Sequence, residues 1–581
     1  MVKGFRKEDS MSSSLKVIVV GGVACGPKAA SRLKRLMPDA DITMIDKDKI
    51  VSYGACGLPY YVSGEIERIE ELMETPIGVQ RTPAFFEKVK GFKTLTETEV
   101  VKINRDEKTV TVLDLPSRQE KAMSYDKLVL ATGGKPFAPP ITGIDLSGVV
   151  QLHHPDEAVM VREKVEQGKI KNLVIIGAGL VGVEMAEAMT KKGVNVTIVE
   201  MLDYVLGALL DEEMGLLAAK PLEAAGVNLV LGEKLEEILD DGDGNVSGVT
   251  TDSRQLDADF VIVAVGVRSR SEMAQDAGLE LDSKGHILIN EFCQTSDLDI
   301  YAGGDCVSNS FFLYETGDRL FTPQGSTANK HGRIIANHIA GMAEPFPGVI
   351  GTVICKAFDT TIGRTGITEK DSIRLKYDVE TILWTGTDLP HFYPGANPLC
   401  IKIVVDKKNR QILGFQAVGK GDVSKRLDVA AVSIGLKATI DQMAHLDLGY
   451  APPYSPPLDP ILTASHVMQN KIDGITRGIS PLEVKGMIDS GQDDFVLLDV
   501  RSPKECEETT LPYEEKTIFI PLGALREKLD SLPRDKKIIP FCKLSLRGYE
   551  AERILSADGF KDVAFLEGGI LGWPYEVRMK K

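Results

Sequence analysis

No apolar run in this chain approaches the ~18 residues that a membrane-spanning helix needs, and no two of its eight cysteines are spaced Cys-x-x-Cys. The first absence excludes an integral membrane class. The second, with so few cysteines in 581 residues, excludes a disulfide framework and fits a reducing compartment where cysteines are buried or catalytic. Positive charge is also in short supply. Lys and Arg number 68 against 84 Asp and Glu, a net −16, so neither nucleic acid nor an anionic membrane surface is the expected main partner. A local basic pocket stays open, and no metal cluster is read. The opening MVKGFRKEDSMSSS has no apolar stretch for a signal peptide, so residues 1–14 are expected to be disordered, with Met11 as an alternative start. The expected location is cytoplasmic. An apolar content of 43% and a charged content of 26% are ordinary for a globular chain, and the length suggests roughly four domains.

What is present is one design written twice. Lys16–Val20 reads as a strand entering the turn Gly21-Gly22-Val23-Ala24-Cys25-Gly26; a helix follows, and Ile42–Asp46 ends a second strand at an acid. Leu173–Ile176 enters Gly177-Ala-Gly179-Leu-Val-Gly182, again followed by a helix and by Val196–Glu200, which ends at an acid. Strand, glycine turn, helix, strand and acid form the dinucleotide-binding fingerprint: backbone N–H groups meet a pyrophosphate and the carboxylate bonds a ribose diol. The first copy departs from the pattern at Val23, where a glycine usually stands.

Two further strands accompany the first copy. Leu128–Leu130 runs into Ala131-Thr132-Gly133, and Ile300–Ala302 runs into Gly303-Gly304-Asp305, whose carboxylate suits a ribose or ribityl hydroxyl. From 347 to 468 the pattern turns β-rich, with strands near Leu399–Val405 and Ile412–Val418 and a helix near Ser424–Lys437. Tyr450-Ala-Pro-Pro-Tyr-Ser-Pro-Pro457 is expected to be extended. A compact α/β unit follows from 479, with strands at Phe495–Val500, Thr517–Ile520, Ile538–Phe541 and Val563–Leu566.

Between the two copies lies Ser52-Tyr-Gly-Ala-Cys56-Gly-Leu-Pro-Tyr-Tyr61. With this motif, residues 15–468 resemble the flavin-dependent pyridine nucleotide-disulfide oxidoreductases, in the single-cysteine branch of coenzyme A disulfide reductases and persulfide or polysulfide reductases. His391-Phe-Tyr-Pro-Gly-Ala396 and Tyr450-Ala-Pro-Pro-Tyr454 support the same branch. Leu498-Asp-Val-Arg501, Cys542-Lys-Leu-Ser-Leu-Arg547 and Glu567-Gly-Gly-Ile-Leu-Gly-Trp573 resemble a rhodanese domain. The implied fold class is α/β, with two Rossmann-like dinucleotide-binding domains, an α+β dimerisation domain and a C-terminal α/β rhodanese domain. The implied boundaries are an FAD-binding domain over 15–150 and 281–346, an NAD-binding domain over 151–280, a dimerisation domain over 347–468, a linker over 469–478 and the rhodanese domain over 479–581.

The resemblance implies FAD at the first glycine turn, completed by Ala131–Gly133, Gly304 and Asp305, and a nicotinamide nucleotide at the second. Glu200 favours NADH, whose 2′-hydroxyl it can bond, over NADPH, whose 2′-phosphate it repels; NADPH stays possible. Two-cysteine relatives carry Cys-x4-Cys where this chain has Val51 and Cys56, so Cys56 needs an external thiol. Coenzyme A, as substrate or bound thiol, is the expected partner. Lys28, Arg32 and Arg35 share one helix face for its phosphates, with Ser52, His331 and Tyr393 as further substrate contacts and Tyr450 near the flavin or the reacting sulfur. Ala55 and Leu458 depart from the branch, which often has Asn and Lys there, and imply looser CoA binding. Cys25 is read chiefly as a small buried residue, secondarily as a second thiol. Cys542, with Arg547, is expected to carry sulfane sulfur at a helix N-terminus; Ser545 replaces a common loop glycine.

The expected activity is NAD(P)H-dependent reduction of CoA persulfide, polysulfide or CoA disulfide by a homodimer in which Tyr393 and Tyr450 act in trans. The other partners read are small-molecule thiols, persulfides and disulfides. Two alternatives stand beside it. One is an NADH oxidase or peroxidase using a cysteine sulfenic acid, though the histidine such enzymes place in the first glycine turn is lacking. The other is a non-catalytic sulfur-trafficking or redox-sensor protein.

Overall fold

A computed structural model of the chain describes residues 14–312 and 319–579. The disorder expected for residues 1–14 and the start at Met11 lie outside the described residues, save for exposed Ser14. The described residues form two compact units, one within 14–139, 151–167 and 265–349, the other within 140–150, 168–264 and 350–579.

The first unit is built on a five-stranded parallel sheet in the order Ile300–Ala302, Lys127–Leu130, Lys16–Val20, Asp41–Ile45, Lys93–Leu95. Lys16–Val20 is central, and four of its five residues are buried, as expected of a strand covered on both faces. Its neighbours leave in opposite directions along the sheet, so the loop after Val20 sits at a topological switch point, where such sheets bind ligands. Helix Cys25–Leu36 packs on helix Gly325–Ile339. Their contact needs Gly332, because a Cβ there would stand 2.5 Å from the Cys25 carbonyl oxygen and 2.9 Å from Lys28 Cβ.

The second unit repeats the arrangement with strands Asn228–Leu231, Asn195–Glu200, Asn172–Ile176, Phe260–Val263 and Val149–Val150, all parallel. It continues into an antiparallel sheet ordered Val353–Ala357, Thr360–Gly366, Ile412–Gly419, Pro398–Asp406, Val379–Thr387, with helices Val423–Gly435 and Pro460–Ile472. The C-terminal part has Phe495–Asp499 between Thr517–Phe519 and Lys537–Phe541, in parallel, over a core that includes fully buried Trp573.

Three sequence expectations differ from this fold. The proline run is a turn, not an extended segment: the N–H groups of Tyr454 and Ser455 both donate to the Ala451 carbonyl, with Pro452 and Pro453 inside the bend. Fixed proline φ suits a turn as well as an extended chain. Helix Pro460–Ile472 runs four residues into the segment read as a linker, and Gly478–Ile479 already pairs with Phe565–Leu566. The boundary pairs 151–280 also shift: residues 151–167 and 265–280 pack with the first unit, where strand Val267–Ser269 pairs with Gly134–Pro136.

Candidate functional site

The first glycine turn is held by its own acid. Asp46 accepts the Gly22 N–H at 2.6 Å on one carboxylate oxygen and the Asp48 N–H at 2.8 Å on the other. Gly21, at φ 111°, lies so close to the neighbouring strand that a Cβ would stand 2.0 Å from the Ala131 carbonyl oxygen. At Gly26 a Cβ would stand 1.9 Å from the Gly21 carbonyl oxygen. Thr132 donates to the Arg270 carbonyl, which fixes the Ala131–Gly133 bend. Asp305 is a half-buried carboxylate for which no ion pair is found among the described residues, and desolvation pushes its pKa up to about 6. A cradle that only glycine fits, beside a half-buried carboxylate wanting hydroxyl donors, fits the pyrophosphate and ribityl groups of FAD.

Cys25 lies in the packing beneath this turn. It is buried, its sulfur would stand 2.9 Å from a Cβ at Gly303, and burial first, then Cys306, Cys293 and Asp305, hold its thiol well above the usual range. That is the small buried residue, not a second reactive thiol.

Cys56 is exposed, in the short 3-10 turn Ala55–Gly57 that leads into helix Leu58–Ser63. The turn is fixed from below: Gly54 N–H donates to the Leu72 carbonyl, and a Cβ at Gly57 would stand 2.3 Å from Leu72 Cδ2, so that side chain would have to shift. Val51, five residues earlier, is 3% exposed, and its Cγ1 would stand 2.8 Å from a Cβ at Gly22. The methyl groups of Val51 therefore fill the space against the glycine turn, and the protein offers no second sulfur from that position.

Ser52 is buried and strained, at φ 56°, with its N–H bonded to the Gly22 carbonyl. It joins Cys56 to the turn through backbone. Lys28 and Arg35 are exposed on one helix face, and half-buried Arg32 donates to Asn337 of helix Gly325–Ile339. The crossing at Gly332 places exposed Lys330 and Arg333 on the helix that packs against Lys28, two cations that sequence reasoning missed. Their signal is the tertiary contact, invisible along one helix.

His331 corrects an expectation. It was read as a substrate contact, but it is fully buried, with its Nδ1 accepting the Gly304 N–H at 3.1 Å. Burial lowers its pKa to about 4. It braces the Gly303–Asp305 turn from inside.

The second glycine turn copies the first. Glu200 accepts the N–H groups of Ala178 at 2.8 Å and Leu202 at 3.0 Å. Gly177 has φ 101°, and a Cβ at Gly182 would stand 2.0 Å from its carbonyl oxygen. Gly179 opens helix Leu180–Lys191.

In the antiparallel region, Tyr450 lines a cavity of about 570 Å³ with Asp388, Lys425 and Tyr454, whereas Tyr393 lies in the neighbouring turn after Pro390. The pair Arg426–Asp459, at 2.8 Å and almost inaccessible to solvent, fixes this corner, with Ser455 bonding the same carboxylate. Phe392, Tyr450, Tyr454 and Leu458 are all more than half exposed, and Tyr450 and Tyr454 share the lining of this cavity.

Cys542 follows strand Lys537–Phe541 directly and is 1% exposed. Helix Leu546–Ala557 begins four residues on, so its first-turn N–H groups serve the loop. Arg547 is clamped bidentately by Glu505 at 2.8 and 2.6 Å, which raises the Arg547 pKa and holds Glu505 down to about 2. Glu505 was missed because it lies 42 residues before Arg547 in the chain; with Ser502 it also closes a capping box. Ser545, where a glycine is common, has φ 90° and a buried hydroxyl without a hydrogen-bond partner.

Comparison with known proteins places these features in a family. Residues 15–328 match the family model described as pyridine nucleotide-disulphide oxidoreductase, residues 352–459 its dimerisation domain, and residues 480–575 a rhodanese-like domain. The chain is 37% identical over 454 residues to the NAD(P)H sulfur oxidoreductase (CoA-dependent) of Pyrococcus furiosus, covering 78% of this chain and 99% of that protein. The solved NAD-dependent persulfide reductase from A. fulgidus shares 42% identity at a TM-score of 0.91, covering 96% of this chain and 100% of that one. The reduced Bacillus anthracis CoADR-RHD structure shares 33% identity at a TM-score of 0.89, covering 97% of this chain and 98% of that one. Together with the two braced glycine turns, these matches show that the chain belongs to the pyridine nucleotide-disulphide oxidoreductases, a family that implies FAD and NAD(P)H, and carries a rhodanese domain at its C-terminus.

Proposed function

We propose that the protein uses NADH and FAD to reduce the sulfur–sulfur bond of CoA persulfide, CoA polysulfide or CoA disulfide at Cys56, with Cys542 carrying sulfane sulfur. The observation that carries this reading is the pairing of exposed Cys56 with buried Val51: one thiol is presented and the place of a second is filled by methyl groups. The Cys56 thiolate attacks the inner sulfur of a persulfide R–S–SH, forming Cys56–S–S–R and releasing HS⁻. FAD, when bound, supplies the two electrons of NADH that return this mixed disulfide to the Cys56 thiolate and R–SH.

The chain's own residues support the rest. Lys28, Arg32, Arg35, Lys330 and Arg333 offer cations for the phosphates of a CoA-like carrier. Glu200, already accepting two backbone N–H groups, favours a ribose diol over a 2′-phosphate and so NADH over NADPH. At Cys542, the loop N–H groups and Arg547 suit an anionic persulfide. The exposed Phe392, Tyr454 and Leu458, within a dimerisation domain, suit a homodimer that brings Tyr393 and Tyr450 to the partner's site.

The test is NADH consumption by FAD-loaded protein given CoA persulfide, polysulfide or CoA disulfide. Turnover is expected in the wild type and its loss in Cys56→Ser, whose flavin content should be unchanged. Wild-type protein inert toward all three substrates would sink the reductase reading. Unchanged sulfur-donor activity in Cys542→Ala would sink the relay. Mass spectrometry of an adduct on Cys56 names the carrier.

A further inference from the structure

A cavity of about 560 Å³ lies within the second unit, its lining sharing no residue with the second glycine turn or the Tyr450 corner, and the proposed reductase chemistry makes no use of it. Its walls are apolar: Leu217 and Pro221 from helix Glu212–Ala224, Phe358 and Leu399 from the antiparallel sheet, and Leu571 from the rhodanese domain. Its size lies in the range of small-molecule sites. Cys400 also lines it, as a buried thiol that desolvation keeps protonated, so it acts as part of the apolar wall.

Two cations face this space, and they are not equivalent. Lys420 is already neutralised by Asp359 at 2.6 Å. The Lys220 ammonium donates to the Trp573 carbonyl at 2.6 Å, and no carboxylate within ion-pair distance of it is found among the described residues. Burial lowers its pKa. A half-buried ammonium held by one neutral carbonyl, with the Glu223 carboxylate acting on it only from beyond ion-pair distance, has room for a closer counter-charge to offset its desolvation. A carboxylate with a hydrocarbon tail supplies both halves of what the chamber offers.

Two lining residues also hold the sulfur-carrying loop. Thr385 donates through Oγ1 to the Leu544 carbonyl at 3.1 Å and the Gly568 carbonyl at 2.8 Å, and Leu571 N–H donates to the Lys543 carbonyl at 3.2 Å. Lys543 and Leu544 are the two residues after Cys542.

We propose that this cavity is a second ligand site, taking a medium-chain monocarboxylate whose head group pairs with Lys220 and whose occupancy alters sulfur transfer at Cys542. Binding stands independently of the catalytic reading; the effect on transfer rests on Cys542 being a sulfur carrier.

The experiment is calorimetric titration of full-length, FAD-loaded protein with decanoate, followed by thiosulfate:cyanide sulfur transfer with and without it. One saturable site per chain is expected, weakened at least about tenfold in Lys220→Met and abolished in Leu571→Trp, which fills the chamber. Decanol should bind at least about tenfold more weakly than decanoate, and decanoate should change the transfer rate in the wild type but not in Lys220→Met. No saturable decanoate binding to the wild type overturns the proposal. So does undiminished binding in Lys220→Met with a wild-type melting profile, or equal affinity for decanol. Saturable binding with an unchanged transfer rate overturns the coupling. Absence of any transfer activity in the wild type instead strikes the reading of Cys542.

Discussion

Ser545 stands at φ 90° and ψ −39°, a conformation that an L side chain rarely adopts, and its hydroxyl makes no hydrogen bond in return. Ser545→Gly should therefore stabilise the rhodanese part by about 1 kcal/mol, read as a rise in its urea midpoint. A fall in that midpoint would show that the serine contributes something its geometry does not. His331 gives a second residue-scale prediction. Its folded pKa, about 4, lies below the unfolded 6.5, so the unfolded state binds more protons between those values. Its stabilising contribution is full above pH 6.5 and is lost as pH falls toward 4, roughly 3 kcal/mol in all for so buried a ring. The unfolding free energy of the first unit should fall over that window, and His331→Gln should flatten the fall. The sequence showed a histidine on a helix; only packing shows that the side chain faces inward, because the same i, i+4 pattern serves either face.

Among elements, the joint between the rhodanese part and strand Val379–Thr387 combines the Thr385 hydroxyl bonds to the Leu544 and Gly568 carbonyls with one buried carboxylate. Glu567, 2% exposed, accepts the Leu383 N–H at 2.9 Å and pairs with Lys471 at 2.7 Å. Gly478 must lack a Cβ, which would stand 2.1 Å from the same carboxylate. Removing one partner of a buried pair is costly, so Glu567→Ala should lose about 3 kcal/mol and expose residues 473–477 to limited proteolysis. Unchanged cleavage there would count against the joint. Elements of this kind divide sharply in how far they could be read. Lys16–Val20 and Leu173–Ile176 were visible as strands because apolar runs end at glycine turns. The Glu505–Arg547 clamp and the Glu567–Lys471 pair were not, since each joins residues distant in the chain through contacts no local period records. The proline run went wrong for a different reason: fixed φ leaves ψ open, and the turn at Ala451–Ser455 is decided by a backbone acceptor.

At the scale of the whole molecule, the exposed Phe392, Tyr454 and Leu458 lie in the region matching the dimerisation domain. If the proposed homodimer forms through this region, a double variant, Phe392→Glu with Tyr454→Glu, should elute as a monomer in size-exclusion chromatography with light scattering where the wild type elutes as a dimer. It should keep its flavin absorbance and lose reductase turnover. A variant that stays dimeric and active would place the interface elsewhere. The domain series was legible from motif order. Its seams were not: residues 151–167 and 265–280 return to the first unit, because chain order does not reveal where a crossing segment packs.

The carboxylate braces at Asp46 and Glu200 are made of protein groups alone, so the hydrogen bonds that shape both turns call on no nucleotide. The ordering entropy of each loop is settled during folding and need not be met at the encounter. Cofactor loading then becomes a matter of diffusion and fit, fast to recover after loss. Substituting either acid should slow association with the nucleotide more than it weakens any single contact in the bound state.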